Sequence, residues 1–282
     1  MNIGIIGYGK MGKIIEAAAK SRGHRVSAVI DPLFASALEA PAGEGRPAAF
    51  CSLPAGPGIS GQGPEVPGPV QAADLFIEFT RPGAAPDNIR AAAALGKPVV
   101  CGSTGWYEKL PEISAAVEQA GTSLLWGSNF SLGVNLFYRI ASYAARLADP
   151  FPEYDAAGYE IHHNKKADSP SGTAKVLAER VLASMTRKRG VSWNSGDPPG
   201  KPEELRCASL RVGSAPGMHS LLFDSPADTI EITHTARNRE GFASGAVLAA
   251  EWLLSCPGPG LEAGRAKRGI FTMDDVLKDI LP

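Results

Sequence analysis

The chain has 282 residues, of which 44% are hydrophobic, and this length suits one large or two modest domains. Its formal net charge of −1 gives no reason to expect a nucleic-acid partner or an anionic membrane surface. The four cysteines are scattered without a C-x-x-C pair, and the most apolar late stretch, 245–254, is too short to span a bilayer. We therefore expect a cytoplasmic protein with reduced thiols.

The N-terminus predicts a dinucleotide site. A short apolar strand over 2–7 leads into a helix over 13–20, and a second strand over 25–31 ends in Asp31. The turn joining the first strand to the helix has the G-x-G-x-x-G pattern: Gly7, Tyr8, Gly9, Lys10, Met11 and Gly12. Its glycines allow a tight turn, close approach of a pyrophosphate and packing of helix on strand, while an acid at Asp31 suits the adenosine ribose. A glycine-rich turn in an unrelated α/β protein is the alternative.

The rest of the first half alternates strands and helices. Strands are predicted over 75–79, 98–101 and 123–126, with helices over 85–95 and 113–120. This order predicts a doubly wound parallel sheet of the Rossmann type, whose ligands lie where the strands end. The loops after these strands are therefore expected to line the cofactor site, with Arg81, Gly102, Ser103, Thr104, Gly127, Ser128, Asn129 and Phe130. Residues 51–70 hold five Pro and five Gly and are expected to form a long surface loop.

The second half loses this alternation. A long helix over 132–147 precedes a strand over 154–163 and a helix from Thr173, and the strands 208–211, 219–223 and 229–235 follow. This order predicts an α+β domain with a mixed sheet and helices on one face. Since a helix over 243–254 is expected to return to the first domain, we place a dinucleotide-binding domain at 1–130 with 244–282. A substrate-binding and oligomerisation domain is placed at 131–243.

The run from Glu160 to Ala174, EIHHNKKADSPSGTA, carries the chemistry. Strand character places His162 and His163 on opposite faces, and either imidazole can exchange a proton near neutrality. Lys166 adds a cation for a carboxylate or for proton delivery. The small residues up to Thr173 precede an apolar helical period, so they predict a helix N-terminus that can bind a carboxylate.

Two other interpretations of this run remain. It can be a polar surface turn capped by Ser171 or Thr173. Zinc binding by His162, His163, His219 and His234 is the second alternative, but the sequence shows no cysteine or carboxylate ligand at metal spacing, so no metal site is predicted.

These residues together resemble the 4-hydroxy-tetrahydrodipicolinate reductase family, also called dihydrodipicolinate reductases. The run is similar to the family pattern E-x-H-H-x-x-K-x-D-x-P-S-G-T-A. Further matches lie at 102–105, 128–131, 217–219, 234–239, 242–243 and 269–277. The chain departs from the family at Met218, where members usually have Glu, in a first glycine-rich turn one residue shorter than in many members, and in the 51–70 loop.

The resemblance implies that NADH or NADPH gives hydride to the unsaturated dicarboxylate ring formed when the hydroxylated substrate loses water, in lysine and diaminopimelate biosynthesis. It assigns proton handling to His162 and Lys166, and binding of the carboxylates to His163, Lys166, Gly172 and Thr173. It assigns cofactor binding to the 7–12 turn, to Asp31, and to the loops that contain Arg81, residues 102–104 and residues 127–130. A homotetramer joined through the second-domain sheets is also implied. Another Rossmann-type amino-acid dehydrogenase and a non-catalytic dinucleotide sensor are the alternatives.

Overall fold

The computed structural model describes residues 1–36, 47–54, 65–193, 200–255 and 266–281. The described strands are β1 Asn2–Ile6, β2 Arg25–Ile30, β3 Ala48–Phe50, β4 Leu75–Glu78, β5 Val99–Cys101, β6 Ser123–Trp126, β7 Asp155–His162, β8 Gly190–Ser192, β9 Glu204–Arg211, β10 Met218–Asp224, β11 Thr229–Thr235 and β12 Gly269–Phe271. The described α-helices are α1 Lys10–Ser21, α2 Gly68–Gln71, α3 Ala85–Ala94, α4 Leu110–Gln119, α5 Leu132–Ala148, α6 Gly172–Ser184, α7 Glu240–Leu254 and α8 Met273–Ile280. The chain divides into two compact units, a first unit of Met1–Ser131 with Phe242–Pro282 and a second unit of Leu132–Gly241.

The first unit contains a seven-stranded sheet in the order β12-β6-β5-β4-β1-β2-β3, in which every pair is parallel. Its central strands are continuous apolar runs because both faces are covered by helices. On one face Ile5 packs with residues of α1, α7 and α8. On the other, Phe76 packs with residues of α3 and α4. The predicted Rossmann-type doubly wound sheet is confirmed.

The order of the strands locates the ligand edge of this sheet. The chain runs from β1 to β2 and β3 on one side and then returns to β4, β5 and β6 on the other side. The order therefore reverses at β1, and open α/β sheets bind ligands beyond the carboxyl ends of the strands at such a point.

The second unit contains a five-stranded mixed sheet in the order β11-β10-β7-β9-β8. Strand β10 runs antiparallel to both neighbours, whereas β7, β9 and β8 are parallel. Helices α5 and α6 pack on one face through a core that includes Phe137, Val181 and Phe223. Along β7, burial alternates, so Glu160 and His162 lie on the helix-covered face. The predicted mixed sheet with helices on one face is confirmed.

The expectation of one long loop over 51–70 is partly wrong. Residues 55–64 lie outside the described part of the chain, but α2 forms at Gly68–Gln71. A proline at the start of this helix costs no hydrogen bond, because the first N–H groups of a helix have no partner within it. Val70 is then buried in the first unit. In the part of the chain that the structure describes, no helix has the length and apolar character needed to cross a membrane.

Candidate active site

The glycine-rich turn of the first unit has the three features that a dinucleotide requires. Gly7 has φ of +90°, and a Cβ there would lie 2.1 Å from the carbonyl oxygen of Phe79. A Cβ on Gly12 would lie 2.3 Å from the carbonyl oxygen of Gly7, so helix and strand pack closely. At Gly9 a Cβ would meet no atom of the described residues within 4 Å, which leaves the space that a pyrophosphate would use.

The N-terminus of α1 is suited to an anion. Gly9 is its N-cap, no side chain of the described residues caps it, and its first turn contains no acidic residue. The first N–H groups of a helix lack partners within the helix, and its dipole favours negative charge at this end. The turn and the helix therefore fit the phosphates of a dinucleotide.

Asp31 holds the glycine-rich turn as well as facing this edge of the sheet. Its Oδ2 accepts a hydrogen bond from the backbone N–H of Tyr8 at 2.8 Å, and its Oδ1 accepts one from the N–H of Leu33 at 3.0 Å. A carboxylate has about four acceptor positions, so two such bonds leave capacity for ribose hydroxyls. The hydroxyl of Tyr8 donates a hydrogen bond to Glu16. Burial, followed by this hydrogen bond and the charge of Glu16, raises the pKa of Tyr8 to about 12.

The remaining predicted cofactor residues follow β4, β5 and β6, whose carboxyl ends lie at the same edge as the turn because the sheet is parallel. Arg81, Thr104 and Ser128 are exposed there, Gly102, Gly127 and Asn129 are half-buried, and Ser103 and Phe130 are buried. The Ser103 hydroxyl oxygen accepts from the N–H of Thr80 at 2.7 Å, and the Phe130 ring packs 6.0 Å from that of Phe79. These two buried side chains support the loops from inside.

In the second unit, the run 160–174 joins the end of β7 to the start of α6. Ser171 is the N-cap, and its hydroxyl oxygen accepts from the N–H of Ala174 at 3.1 Å. Gly172 and Thr173 form the first turn, and the carbonyl of Thr173 accepts from the Tyr138 hydroxyl at 3.2 Å. The predicted helix N-terminus is confirmed, and Ser171 supplies its cap.

Glu160 lies at the centre of a buried polar cluster. It is fully buried, and its Oε1 accepts from the N–H of Ser171 and from the hydroxyl of Ser209, each at 2.9 Å. The Ser171 hydroxyl donates to Oε2, and the Arg211 guanidinium lies 3.4 Å from Oε1. Burial alone would raise the pKa of Glu160, but hydrogen bonds from His219, Ser171 and Ser209 outweigh it and hold this pKa far below its usual value.

The sheet register explains how these side chains meet. Glu160 is the direct cross-strand partner of His219 on β10 and of Ser209 on β9. The sequence alone indicates no role for Glu160, Ser209 or Arg211. The i, i+2 spacing of Glu160 and His162 signals a shared face, but their neighbours depend on strand pairing.

His162 lies beside this carboxylate. Its Nδ1 is 3.3 Å from Oε2 of Glu160, and its ring meets that of His219 edge-on with centroids 5.1 Å apart. Gly217, at φ of +133°, allows this packing because a Cβ there would lie 3.1 Å from Nε2 of His162. Burial lowers the pKa of His162 to about 4, with Glu160 acting in the opposite direction and the cations Lys166 and Arg211 adding to the lowering. The imidazole is therefore neutral at pH 7.

Lys166 and His163 complete the predicted set. The Lys166 ammonium lies 2.7 Å from Oδ1 of Asp168, and its hydrogen bond lowers the pKa of that acid. Its charge also acts on His162, so these two are electrostatically coupled. His163 is half-buried, and its buried Nδ1 has no hydrogen-bond partner among the described residues.

Part of this cluster has metal-like spacing. Ligand atoms of Glu160, His162 and His219 lie within 4.8 Å of one another, so the fold brings a carboxylate to the histidines that their spacing in the sequence does not show. However, the Glu160 oxygens already accept from two serines, and Arg211 lies 3.4 Å away. A divalent ion would displace these donors and face a fixed cation. The cluster fits proton handling better than metal binding.

Comparisons with known proteins find the same family along nearly the whole chain. The family model described as dihydrodipicolinate reductase, N-terminus, matches residues 1–130, and that described as dihydrodipicolinate reductase, C-terminus, matches 133–277. A 4-hydroxy-tetrahydrodipicolinate reductase of Christiangramia forsetii is 33% identical over 280 residues, or 99% of each chain. One of Archaeoglobus fulgidus is 37% identical over 73% of this chain and 76% of its own. A dipicolinate-bound dihydrodipicolinate reductase from Paenisporosarcina sp. TG-14 shares the fold with a TM-score of 0.69 and 20% identity, over 100% of this chain and 99% of its own.

Proposed function

The chain belongs to the dihydrodipicolinate reductase family, and on that premise we propose how it reduces 4-hydroxy-tetrahydrodipicolinate, by way of dihydrodipicolinate, to tetrahydrodipicolinate. It is an NAD(P)H-dependent oxidoreductase of lysine and diaminopimelate biosynthesis. The resemblance found in the sequence is confirmed, and neither a different amino-acid dehydrogenase nor a non-catalytic sensor is supported. The observation that carries the mechanism is the buried His162–Glu160 pair with Lys166 acting on it.

The first unit holds the cofactor in this proposal. When bound, the reduced nicotinamide supplies the hydride for the ring. The space over Gly9 and the uncapped N-terminus of α1 receive the pyrophosphate. Asp31 accepts from the adenosine ribose, and Arg81 with the loops 102–104 and 127–130 contacts the remainder. Asp31 favours NADH, and NADPH is tolerated.

The second unit holds the dicarboxylate substrate. Lys166 is a point cation whose present partner, Asp168, is more than half exposed, so a substrate carboxylate can compete for it. The first-turn backbone at Gly172 and Thr173 offers the positive end of α6 to a carboxylate, and His163 adds a further polar contact. The Paenisporosarcina neighbour is bound to dipicolinate, which supports a ligand of this class.

Proton handling falls to His162 and Lys166. Hydride addition to the ring must be balanced by one proton. Because His162 is neutral at pH 7, the ammonium of Lys166, which pairs with Asp168, is the proton donor in this proposal. His162, with its Nδ1 held toward Glu160, exchanges a proton through Nε2. In this proposal the negative charge of the bound dicarboxylate raises the pKa of His162, so that the imidazole can take up a proton.

We extend the proposal to a cytoplasmic homotetramer. The face of the second sheet away from α5 and α6 presents Leu210, which is 52% exposed, with half-buried Ile161 and Leu222. Such a face is suited to pairing with another copy. Light scattering of the wild type and of a Leu210→Lys variant tests this, and we expect the charged variant to dissociate. An unchanged mass would place the interface elsewhere.

The activity is tested by following nicotinamide oxidation by absorbance with freshly generated substrate and each cofactor in turn. His162→Gln should cut kcat strongly with a smaller effect on KM, whereas His163→Gln should raise KM more, because the two side chains lie in different surroundings. Identical defects in both variants contradict this division, and no oxidation by the wild type contradicts the activity.

A further inference from the structure

A second buried carboxylate lies outside the residues considered so far. Glu78 is the last residue of β4 and is fully buried in the first unit. Its Oε1 accepts from the hydroxyl of Thr80 and from Nδ2 of Asn88 at 3.3 Å, and its Oε2 accepts from the thiol of Cys101 at 3.1 Å. All three donors are uncharged.

The Cys101 thiol remains protonated and so keeps its hydrogen bond to Glu78. Burial raises the pKa of Cys101 well above its usual value, and the charge of Glu78 acts in the same direction. The sulfur therefore keeps its proton at neutral pH. Among the described residues no cation pairs with Glu78. A buried carboxylate in that state is costly, and an apolar side chain of similar size would avoid the cost. The acid thus requires an explanation beyond filling space.

Thr80 connects this acid to the ligand edge. Because its hydroxyl is bonded to Glu78, its rotamer is set and its methyl group lies against the glycine-rich turn. A Cβ on Gly7 would come within 2.9 Å of that methyl carbon. The N–H of Thr80 donates to Ser103 Oγ at 2.7 Å. One residue thereby touches the turn after β1 and the loop after β5.

We infer that Glu78 is a positioning residue for the dinucleotide cofactor. It fixes Thr80, and through Thr80 it keeps the turn after β1 and the loops after β4 and β5 in the shape that receives the dinucleotide. This inference rests on the proposed function, since it takes this edge of the sheet as the cofactor site. It assigns Glu78, Thr80 and Cys101 to cofactor affinity and gives them no part in proton transfer.

Two substitutions at Glu78 test the inference. Glu78→Leu removes the acceptors, whereas Glu78→Gln keeps an oxygen for Thr80 and Asn88 and turns an amide toward Cys101. NADH affinity is measured by fluorescence titration, and kcat and substrate KM are measured at saturating NADH. We expect Leu to raise the NADH Kd by about tenfold or more with an unchanged substrate KM, and Gln to restore most of the affinity.

Stability is separated from positioning by two further variants. Val117→Ala trims the same domain core at the opposite edge of the sheet, where the Val117 carbonyl accepts from the N–H of Thr122 just before β6, so it should lower Tm and leave the NADH Kd unchanged. Thr80→Val removes the hydroxyl but keeps the shape of the side chain. If Glu78→Leu does not fold, the NADH Kd of Thr80→Val tests the inference in its place. A wild-type Kd in Glu78→Leu, or in Thr80→Val when the former is unfolded, overturns the inference. Absence of NADH binding by the wild type would instead contradict the proposed function.

Discussion

Nδ1 of His162 lies 3.3 Å from Oε2 of Glu160, and both side chains are buried on the helix-covered face of the second sheet. Nδ1 forms no hydrogen bond with the described residues, but the negative charge of the nearby carboxylate favours the tautomer with the proton on Nδ1, which leaves Nε2 to exchange a proton. The same carboxylate accepts from the backbone of Ser171, the cap of α6. Glu160 therefore links the imidazole that we propose as a proton carrier to the helix end that we propose for the substrate.

Glu160→Gln should lower kcat by about 10–10² with a smaller change in KM, because the amide removes the charge that orients and supports His162. Ser209→Ala is the matched control, since it removes one donor to Glu160 and keeps the carboxylate. Steady-state kinetics of both variants provide the measurement. A kcat within twofold of wild type in Glu160→Gln would show that the carboxylate serves the fold alone.

Acid should destabilise the second unit through His162. Its folded pKa is about 4 against an ordinary value of 6.5, so between these pH values the unfolded chain binds more protons. Stability therefore rises with pH across that window and is lost on acidification, by about 3 kcal/mol at most. The lowered pKa of Glu160 adds a loss below its ordinary value of 4.5.

Thermal unfolding of wild type and His162→Gln at pH 7, 6, 5 and 4 checks this. The variant should show a flatter dependence of Tm on pH between 7 and 4, while His234, whose pKa burial also lowers, contributes equally to both proteins. Parallel curves would mean that His162 does not titrate with folding.

The sequence predicted elements whose apolar run or helical period is clear within the segment itself. The apolar runs of β1 and β4 and the period of α6 each span enough residues to show a strand or a helix. The three-residue strands β3, β8 and β12 were missed, whereas β5, also of three residues, was predicted because its apolar run ends at Gly102. The four-residue helix α2 was also missed, because it is too short to show a helical period.

In the second unit, the sequence predicted only those residues of the candidate site that lie in one contiguous run. His162, Lys166 and the α6 N-terminus lie in one run. Ser209 and His219 join Glu160 only through the pairing of β7 with β9 and β10, and a shift of one residue would send each to the other face. No pattern within a single strand determines that register.

Ser171 and Thr173 should separate folding from binding. Ser171→Ala removes the cap and a donor to Glu160, so it should lower stability by about 1–2 kcal/mol. Thr173→Ala leaves that cap in place and should raise substrate KM with little change in Tm. Calorimetry and kinetics on both variants decide. A large fall in Tm with unchanged KM for Thr173→Ala would remove it from the site.

Lys166→Ala should leave cofactor binding intact and reduce turnover by roughly 10²–10⁴, because the cation and its proton are lost while the first unit is untouched. Asp168→Asn is the control, since it releases the ammonium from its ion pair without removing it. Fluorescence titration with NADH and single-turnover rates give the two readouts. Near-normal turnover in Lys166→Ala would exclude the proposed role.

We expect cofactor choice to depend on Asp31 and Arg81. Asp31 would repel the extra phosphate of NADPH, and the residues after it, Pro32 and Leu33, supply no cation. Arg81 follows β4, which lies two strands from β2, or about 10 Å at ordinary strand spacing. At that distance we expect its guanidinium to neutralise the extra phosphate only partly. We therefore expect NADH to be used well and NADPH to be tolerated.

Three substitutions test this preference through kcat/KM for both cofactors. Asp31→Ala should shift preference toward NADPH, but it also removes the acceptor for the N–H of Tyr8, so NADH activity should fall sharply. Asp31→Asn keeps an acceptor oxygen without the charge and should shift preference with less loss. Arg81→Ala should harm NADPH more than NADH. A wild type that favours NADPH by about tenfold or more, a difference of about 1.4 kcal/mol, would refute the argument from Asp31.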